Sequence, residues 1–176
     1  MSSFRSDPLL GLARALLVFF MAVFIVAAGA CVIAIPAVLF MQGEIIAEIA
    51  KEAPKAANPQ FVWALAGLLA AVTALVAAMW FFTLKLKQIV DSVAAGDPFI
   101  PENAERLMVM AWLSIALQFI AVPVGLFGAW VGEKVEPTDV ELSISGNGLL
   151  LALVLFILAR VFRTGAKMRE DLEGTV

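Results

Sequence analysis

The chain has 176 residues, of which 62% are hydrophobic and only 15% are charged, and its formal net charge is −3. This composition lies outside the range of soluble globular domains. Because the sequence contains no His and only one Cys, a disulfide within the chain is excluded and a metal site built from thiolates and imidazoles is not expected. We expect no cofactor.

Four long stretches without a charged residue follow one another along the chain. A helix that crosses a hydrocarbon core about 30 Å thick needs roughly 20 residues. Cores of soluble proteins do not use uncharged runs of this length. The sequence therefore predicts an all-α polytopic membrane protein, a single domain built as a bundle of four transmembrane helices at about 15–41, 61–84, 107–132 and 144–162.

The distribution of Lys and Arg predicts how the chain crosses the membrane. Nine of the twelve basic residues lie in the N-terminal tail, in the second loop (85–106) and in the C-terminal tail. Basic residues close to the ends of spans stay on the cytoplasmic side. We therefore expect a multi-pass protein of the inner membrane with both termini and the 85–106 loop in the cytoplasm.

The first span carries Pro36, which is expected to kink it near its outer end. An amphipathic helix is then expected to continue outside the membrane, and its apolar face consists of Ile45, Ile46, Ile49 and Ala53. Pro54 and the pair Asn58-Pro59 are predicted to end this extension before the second span begins.

The 85–106 loop has the strongest local pattern in the sequence. Apolar residues at helical spacing continue the second span into this loop, namely Leu86, Ile89, Val90 and Val93. Gly96 is a natural helix C-cap, and Pro101 fits the first position of the next helix, so the segment predicts a tight helical hairpin. Phe99 is an aromatic side chain within the polar turn, and we expect it to be buried in the headgroups, in the bundle or in another protein.

The third loop differs from the second, because alternating apolar residues at 140, 142 and 144 predict a short extended segment. Gly146-Asn147-Gly148 is then expected to open or to interrupt the fourth span. The C-terminal tail is basic from Arg160 to Arg169 and acidic afterwards. Its basic part is interpreted either as a site for anionic lipid or, more simply, as an anchor that keeps the tail inside.

Few polar side chains lie within the spans, and they offer a separate candidate site. Ser114 and Gln118 share one helix face, and Asn147 stands at the start of the fourth span. Both a permeation path and a set of interhelical hydrogen bonds fit these residues, and the lack of charge within the spans favours hydrogen bonding. Gly128 and Gly132 indicate close helix packing, either within the bundle or between copies of the chain.

Catalysis finds no support in the sequence. Without His or Tyr, acid–base chemistry would fall to carboxylates or lysines, and the acidic residues of the second loop are expected at a wet interface rather than in a pocket. No Ser–Lys or Cys–His arrangement stands at a plausible depth. We therefore predict a protein that is not an enzyme and that makes no direct contact with nucleic acid.

Two segments of the chain resemble a known bacterial family. They are Gly96-Asp97-Pro98-Phe99-Ile100-Pro101-Glu102-Asn103 and the ending Arg169-Glu170-Asp171-Leu172-Glu173-Gly174-Thr175-Val176. In order and spacing, nearly the whole chain is similar to the four-span membrane proteins catalogued as domain of unknown function 2975.

This resemblance implies a protein of the bacterial inner membrane without an assigned activity, encoded beside a small helix-turn-helix regulator. The membrane protein would restrain this regulator or sense a signal on its behalf. Two positions depart from the family's pattern. Ile100 stands where members commonly carry Thr, so the hydroxyl of a helix N-cap is missing. Ala104-Glu105 stands where members tend to have more Arg.

On these grounds we predict a regulatory or sensory membrane protein that docks a soluble cytoplasmic regulator of helix-turn-helix type through the 85–106 hairpin and the C-terminal tail. The expected partner-binding residues are Asp97, Pro98, Phe99, Pro101, Glu102, Asn103, Arg106, Arg163, Arg169, Glu170 and Asp171. Two alternatives stay open, namely a small transporter or channel for a neutral or apolar solute and a structural subunit of a membrane complex. Apart from the lipid bilayer and this regulator, a second copy of the chain is the other partner considered.

Overall fold

The computed structural model describes residues 8–52, 54, 57–135 and 146–173. Within these ranges the chain forms five helices, α1 (Pro8–Phe40), α2 (Gln42–Glu52), α3 (Pro59–Ala94), α4 (Pro101–Val135) and α5 (Gly146–Glu173). Four of them, all except α2, are long and apolar enough to cross a membrane. This confirms the all-α fold with four transmembrane helices, and the chain is a multi-pass membrane protein.

Helix α1 contains Pro36, and α2 follows it after a single residue, Met41. The backbone N–H of Ile45 still donates to the carbonyl of Met41 at 3.0 Å, so the hydrogen-bonded chain continues from one helix into the next. In α2 the isoleucines at 45, 46 and 49 are half-buried and the neighbouring glutamates Glu44 and Glu48 are exposed, which confirms the predicted amphipathic helix. Its location outside the membrane stays a prediction. Ala53, predicted on the same face, lies outside the described residues.

Helix α3 begins where its sequence supplies a cap. The side-chain oxygen of Asn58 accepts a hydrogen bond from the backbone N–H of Phe61 at 2.9 Å, and Pro59 occupies the first helical position. The helix then runs ten residues beyond the predicted end of the second span, because the apolar stripe that includes Ile89 continues to Val93.

The other two helices begin at or close to their predicted starts, which are Pro101 for α4 and position 144 for the fourth span. Helix α4 starts at Pro101, and α5 starts at Gly146. Helix α5 continues past the expected end of the span at Phe162 as far as Glu173, so most of the expected C-terminal tail is helical. The extended segment predicted at 140–144 lies outside the described residues.

The chain forms two compact units, and the first is called the hairpin unit here. It comprises the described parts of Met1–Val23, Ala78–Ala116 and Ser145–Val176. Its core is a cluster of buried residues from α3, α4 and α5, namely Ile89, Leu107, Met110, Ala111, Leu155 and Ala159. Ala111 and Ala159 are completely buried, because small side chains allow membrane helices to approach closely.

The second unit comprises the described parts of Phe24–Ala77 and Leu117–Ile144. Its buried residues lie in the first two turns of α3, where Phe61, Val62 and Ala66 are covered. In α4 the rings of Phe127 and Trp130 stack with their centroids 5.6 Å apart.

Candidate functional site

The 85–106 hairpin is closed by a turn that the sequence defines locally. Gly96 has a φ of +88°, a left-handed conformation that a residue with a Cβ adopts only at a cost. Its N–H donates to the carbonyl of Val93, and the N–H of Asp97 donates to the carbonyl of Ser92 at 3.1 Å. These two bonds form a Schellman motif, which confirms Gly96 as the C-terminal cap of α3.

Asn103 joins the two arms of the hairpin from a position with no solvent exposure. Its side-chain N–H groups donate to the Ser92 hydroxyl at 2.6 Å and to the carbonyl of Pro98 at 2.8 Å. Its side-chain oxygen accepts from the guanidinium of Arg106 at 2.7 Å, and Arg106 also reaches the carbonyl of Gln88. Asn103 and Arg106 therefore hold α3 and α4 together at the turn, and Asn103 has no surface left for another protein to contact.

Phe99 leaves the turn and lies against α5. Its ring is 5.2 Å from the ring of Phe162, and a Cβ atom on Gly165 would come within 2.8 Å of its Cδ1 atom. The absence of a side chain at Gly165 therefore provides the space for the aromatic ring. Phe99 is nevertheless 43% exposed, so the contact covers only one side of the ring.

Two groups of ion pairs connect the hairpin to neighbouring helices. Asp97, in the turn, pairs with Arg169 of α5. Asp91, near the end of α3, accepts from Nε of Arg14 in α1 and from Lys87 in its own helix, each at 2.7 Å. The pairs thus link the N-terminal part of α1 and the C-terminal part of α5 to the same hairpin.

A groove of about 310 Å³ lies between the start of α4 and the end of α5. We call it the α4–α5 groove, and it is lined by Pro101, Glu105, Arg163, Ala166, Lys167 and Glu170. It presents two carboxylates and two cations around a small apolar base. Three of the predicted partner-binding residues, at positions 101, 163 and 170, meet in this groove.

A second groove, of about 530 Å³, lies beside Phe99 on α5, and we call it the Phe99 groove. Its lining residues are Phe99, Ile157, Arg160, Val161, Thr164, Gly165 and Met168. Arg160 is the one charged side chain among them. The two grooves therefore differ in chemistry, since one is mixed in charge and the other is apolar with a single cation.

The remaining predicted partner-binding residues have varied surroundings. Glu102 is exposed in the first turn of α4, and Asp171 is exposed near the end of α5. Pro98 contributes its carbonyl to the hairpin network. Glu105, Lys167 and Gly165 also belong to the site, although sequence reasoning did not select them. No local signal identifies Gly165, because its role depends on a ring that is distant in the sequence.

The polar residues predicted within the spans differ in their exposure. Ser114 is buried, and its hydroxyl donates to the carbonyl of Met110 at 2.9 Å within its own helix. Gln118 is half-buried in α4, and Asn147 is exposed in the first turn of α5. The proposed path through these three residues stays a prediction.

Gly128, one of the two glycines of α4 predicted to allow close packing, offers little support for such packing within the chain. A Cβ atom on Gly128 would meet no atom within 4 Å in the described part of the chain. Gly132 lies in the same helix one turn later, and packing against another copy of the chain stays a prediction. In the described ranges, no group of three or more His, Cys, Asp or Glu side chains is placed to hold a metal ion.

Comparison with known proteins gives one match. No curated protein and no solved structure matches the chain. A family model matches residues 44–176, a range that includes the hairpin, both grooves and α5. Because this match covers well over half of the sequence, the chain belongs to the family described as Protein of unknown function (DUF2975).

Proposed function

We propose that this protein is a non-enzymatic protein of the bacterial inner membrane that docks a soluble regulatory protein of the helix-turn-helix type at its cytoplasmic face. The observation that carries the proposal is the α4–α5 groove. It lies beyond the uncharged spans, between α5 and a hairpin whose two arms are joined by the hydrogen bonds of Asn103. A helix-turn-helix partner is what the family resemblance implies.

The cytoplasmic location rests on charge. The hairpin, the N-terminal segment and the C-terminal segment together contain nine of the twelve basic residues, and such segments stay inside. The ion pairs of Asp91 with Arg14 and of Asp97 with Arg169 support placing these three segments on the same side. A soluble regulator would then find all three within one docking surface.

The chemistry of the α4–α5 groove supports recognition of a protein surface rather than of a small molecule. Glu105 and Glu170 share the groove with Arg163 and Lys167, so a partner with the complementary arrangement of charges would be selected and a partner with the same arrangement repelled. A groove of this size anchors only part of an interface. We therefore expect a weak, reversible complex, which suits a regulator that must be released.

The test is co-purification, in mild detergent, of the full-length membrane protein with the helix-turn-helix protein that the resemblance implies is encoded beside it. We expect the variant Glu170→Lys to reduce recovery about tenfold, because reversing a charge opposite a cation costs more than about 1.4 kcal/mol. The matched control is Glu44→Lys, an exposed glutamate on α2 that should leave recovery unchanged. Equal recovery with both variants, or none with the wild type, would contradict the proposal.

Phe99→Ala provides a second arm of the same experiment. Loss of the ring removes the contact with Phe162 and Gly165 that positions the turn next to α5. Because Pro101 and Glu105 follow directly, we expect the groove to widen and recovery of the regulator to fall. Recovery at the wild-type level would mean that the position of the hairpin on α5 is irrelevant to docking.

A further inference from the structure

The basic residues of α5 have different surroundings, although they lie close together in the sequence. Arg169 pairs with Asp97, and Arg163 and Lys167 share the α4–α5 groove with two glutamates. Arg160 lies in the Phe99 groove, where no carboxylate is among the described lining residues. Within the described ranges its guanidinium makes no ion pair, so a cation stands without a counter-charge beside apolar side chains.

The Phe99 groove follows one stripe of α5 from Ile157 to Met168, a rise of about 16 Å at the pitch of an α-helix. Ile157 lies toward the interior of the uncharged span, and Arg160 lies at its end. Ile157 and Val161 are each 54% exposed within the groove. Arg160 thus lies about one turn beyond Ile157, at the end of the span, where a lipid whose acyl chain packs beside Ile157 has its phosphate. The groove continues for about two further turns, as far as Met168.

We propose that the Phe99 groove is a binding site for one anionic phospholipid, whose phosphate is held by Arg160 and whose acyl chain lies along Ile157 and Val161. We infer an anionic phospholipid for two reasons. The one charged side chain that lines the groove is the cation Arg160, and the groove lies on a membrane-spanning helix. The Thr164 hydroxyl already donates to the carbonyl of Arg160 at 3.1 Å, which leaves the guanidinium as the donor to the phosphate. This site is independent of the protein partner proposed above.

The test measures phospholipid retained by the full-length protein. The protein is reconstituted into phosphatidylcholine vesicles that contain phosphatidylglycerol, extracted in mild detergent, and the bound lipid is measured by native mass spectrometry. We expect Arg160→Gln to reduce retained phosphatidylglycerol about fivefold, which corresponds to about 1 kcal/mol for one charge near the membrane surface. Retained phosphatidylcholine should not change.

Arg163→Gln is the matched control, because it removes the same charge from the same helix but lies in the other groove next to two glutamates. We expect it to retain phosphatidylglycerol at nearly the wild-type level. Equal losses in the two variants would show a diffuse attraction of the basic segment for anionic lipid and would overturn the proposal. Unchanged retention in Arg160→Gln would overturn it as well.

Val161→Trp tests the apolar part of the site without changing charge. Val161 is exposed, so a larger ring there fills the groove rather than the core, and retention should again fall severalfold. Retention at the wild-type level would overturn the assigned position of the acyl chain. Arg160→Gln should leave co-purification of the helix-turn-helix protein unchanged, and Glu170→Lys should leave lipid retention unchanged. The two proposals can therefore fail independently of each other.

Discussion

Helix α1 and the core formed by α3, α4 and α5 are both apolar, yet they are packed in opposite ways. Helix α1 contains the most apolar segment of the four spans, with a mean hydropathy of 2.9 over 18 residues. None of the residues of α1, all of which the structure describes, is buried. The spans α3, α4 and α5 are less apolar, but they supply the core around Met110 and Ala159. In a bilayer, lipid covers apolar side chains just as effectively as protein does. Hydrophobicity therefore does not determine which side chains are buried within the protein.

The α3–α5 core combines buried small residues with a satisfied polar network, whereas the small residues of α1 are not buried. Ala111 and Ala159 let the helices approach, and Asn103 and Arg106 connect the helix ends. Removing these features should loosen the hairpin unit, whereas equivalent changes in α1 should have little effect. The following variants test this difference in order of decreasing effect.

Asn103→Leu should have the largest effect. It fills the same space but leaves Arg106 and the carbonyl of Pro98 without their buried partner, and the free energy of unfolding should fall by about 3 kcal/mol. Unfolding in mixed detergent micelles, followed by tryptophan fluorescence, measures the change. The control variant Glu102→Gln changes an exposed neighbour, and its free energy of unfolding should be within about 0.5 kcal/mol of the wild type. A similar loss in both variants would mean that the network does not stabilise the hairpin.

Met110→Ala should have the next largest effect, because Met110 is only 2% exposed in the centre of the core. We expect a loss of about 2 kcal/mol, at the lower end of the range for a buried methionine, since lipid replaces part of the lost packing. Met21→Ala makes the same chemical change in α1 and should cost about 0.5 kcal/mol or less. Equal losses at the two positions would remove the distinction between α1 and the core.

Arg14→Gln should have the smallest effect on stability. It removes the ion pair that joins α1 to Asp91, but the side chain of Arg14 is 52% exposed, and exposed pairs contribute less than about 1 kcal/mol. The difference from the wild type should become smaller still as salt is added, because salt screens the pair. A loss greater than about 2 kcal/mol would show that α1 is held far more firmly than its exposure indicates.

Sequence reasoning succeeded where a feature depends on neighbouring residues. Gly96 and Pro101 defined the hairpin, because a helix C-cap and a first-turn proline are local requirements. The extension of α5 to Glu173 was not predicted, since its charged residues are equally typical of a solvated tail.

The composition of the site depended on contacts between distant residues, which the sequence does not reveal. Asn103 was assigned to a partner surface with its neighbours, yet the fold buries it completely. Gly165 carries no signal until Phe99 is seen to lie against it. Local patterns indicate which residues make the turn, but only the packing of α5 determines which side chains remain available.

The bonds that close the hairpin have a consequence for acidic conditions. Amide, hydroxyl and backbone carbonyl groups do not gain or lose protons between about pH 4 and pH 9, and arginine keeps its charge throughout. The connection made by Asn103, Ser92 and Arg106 therefore has the same strength on either side of neutrality. Mild acid would leave these hydrogen bonds of the turn unchanged, and a response of the turn to acid would have to come from groups outside this network.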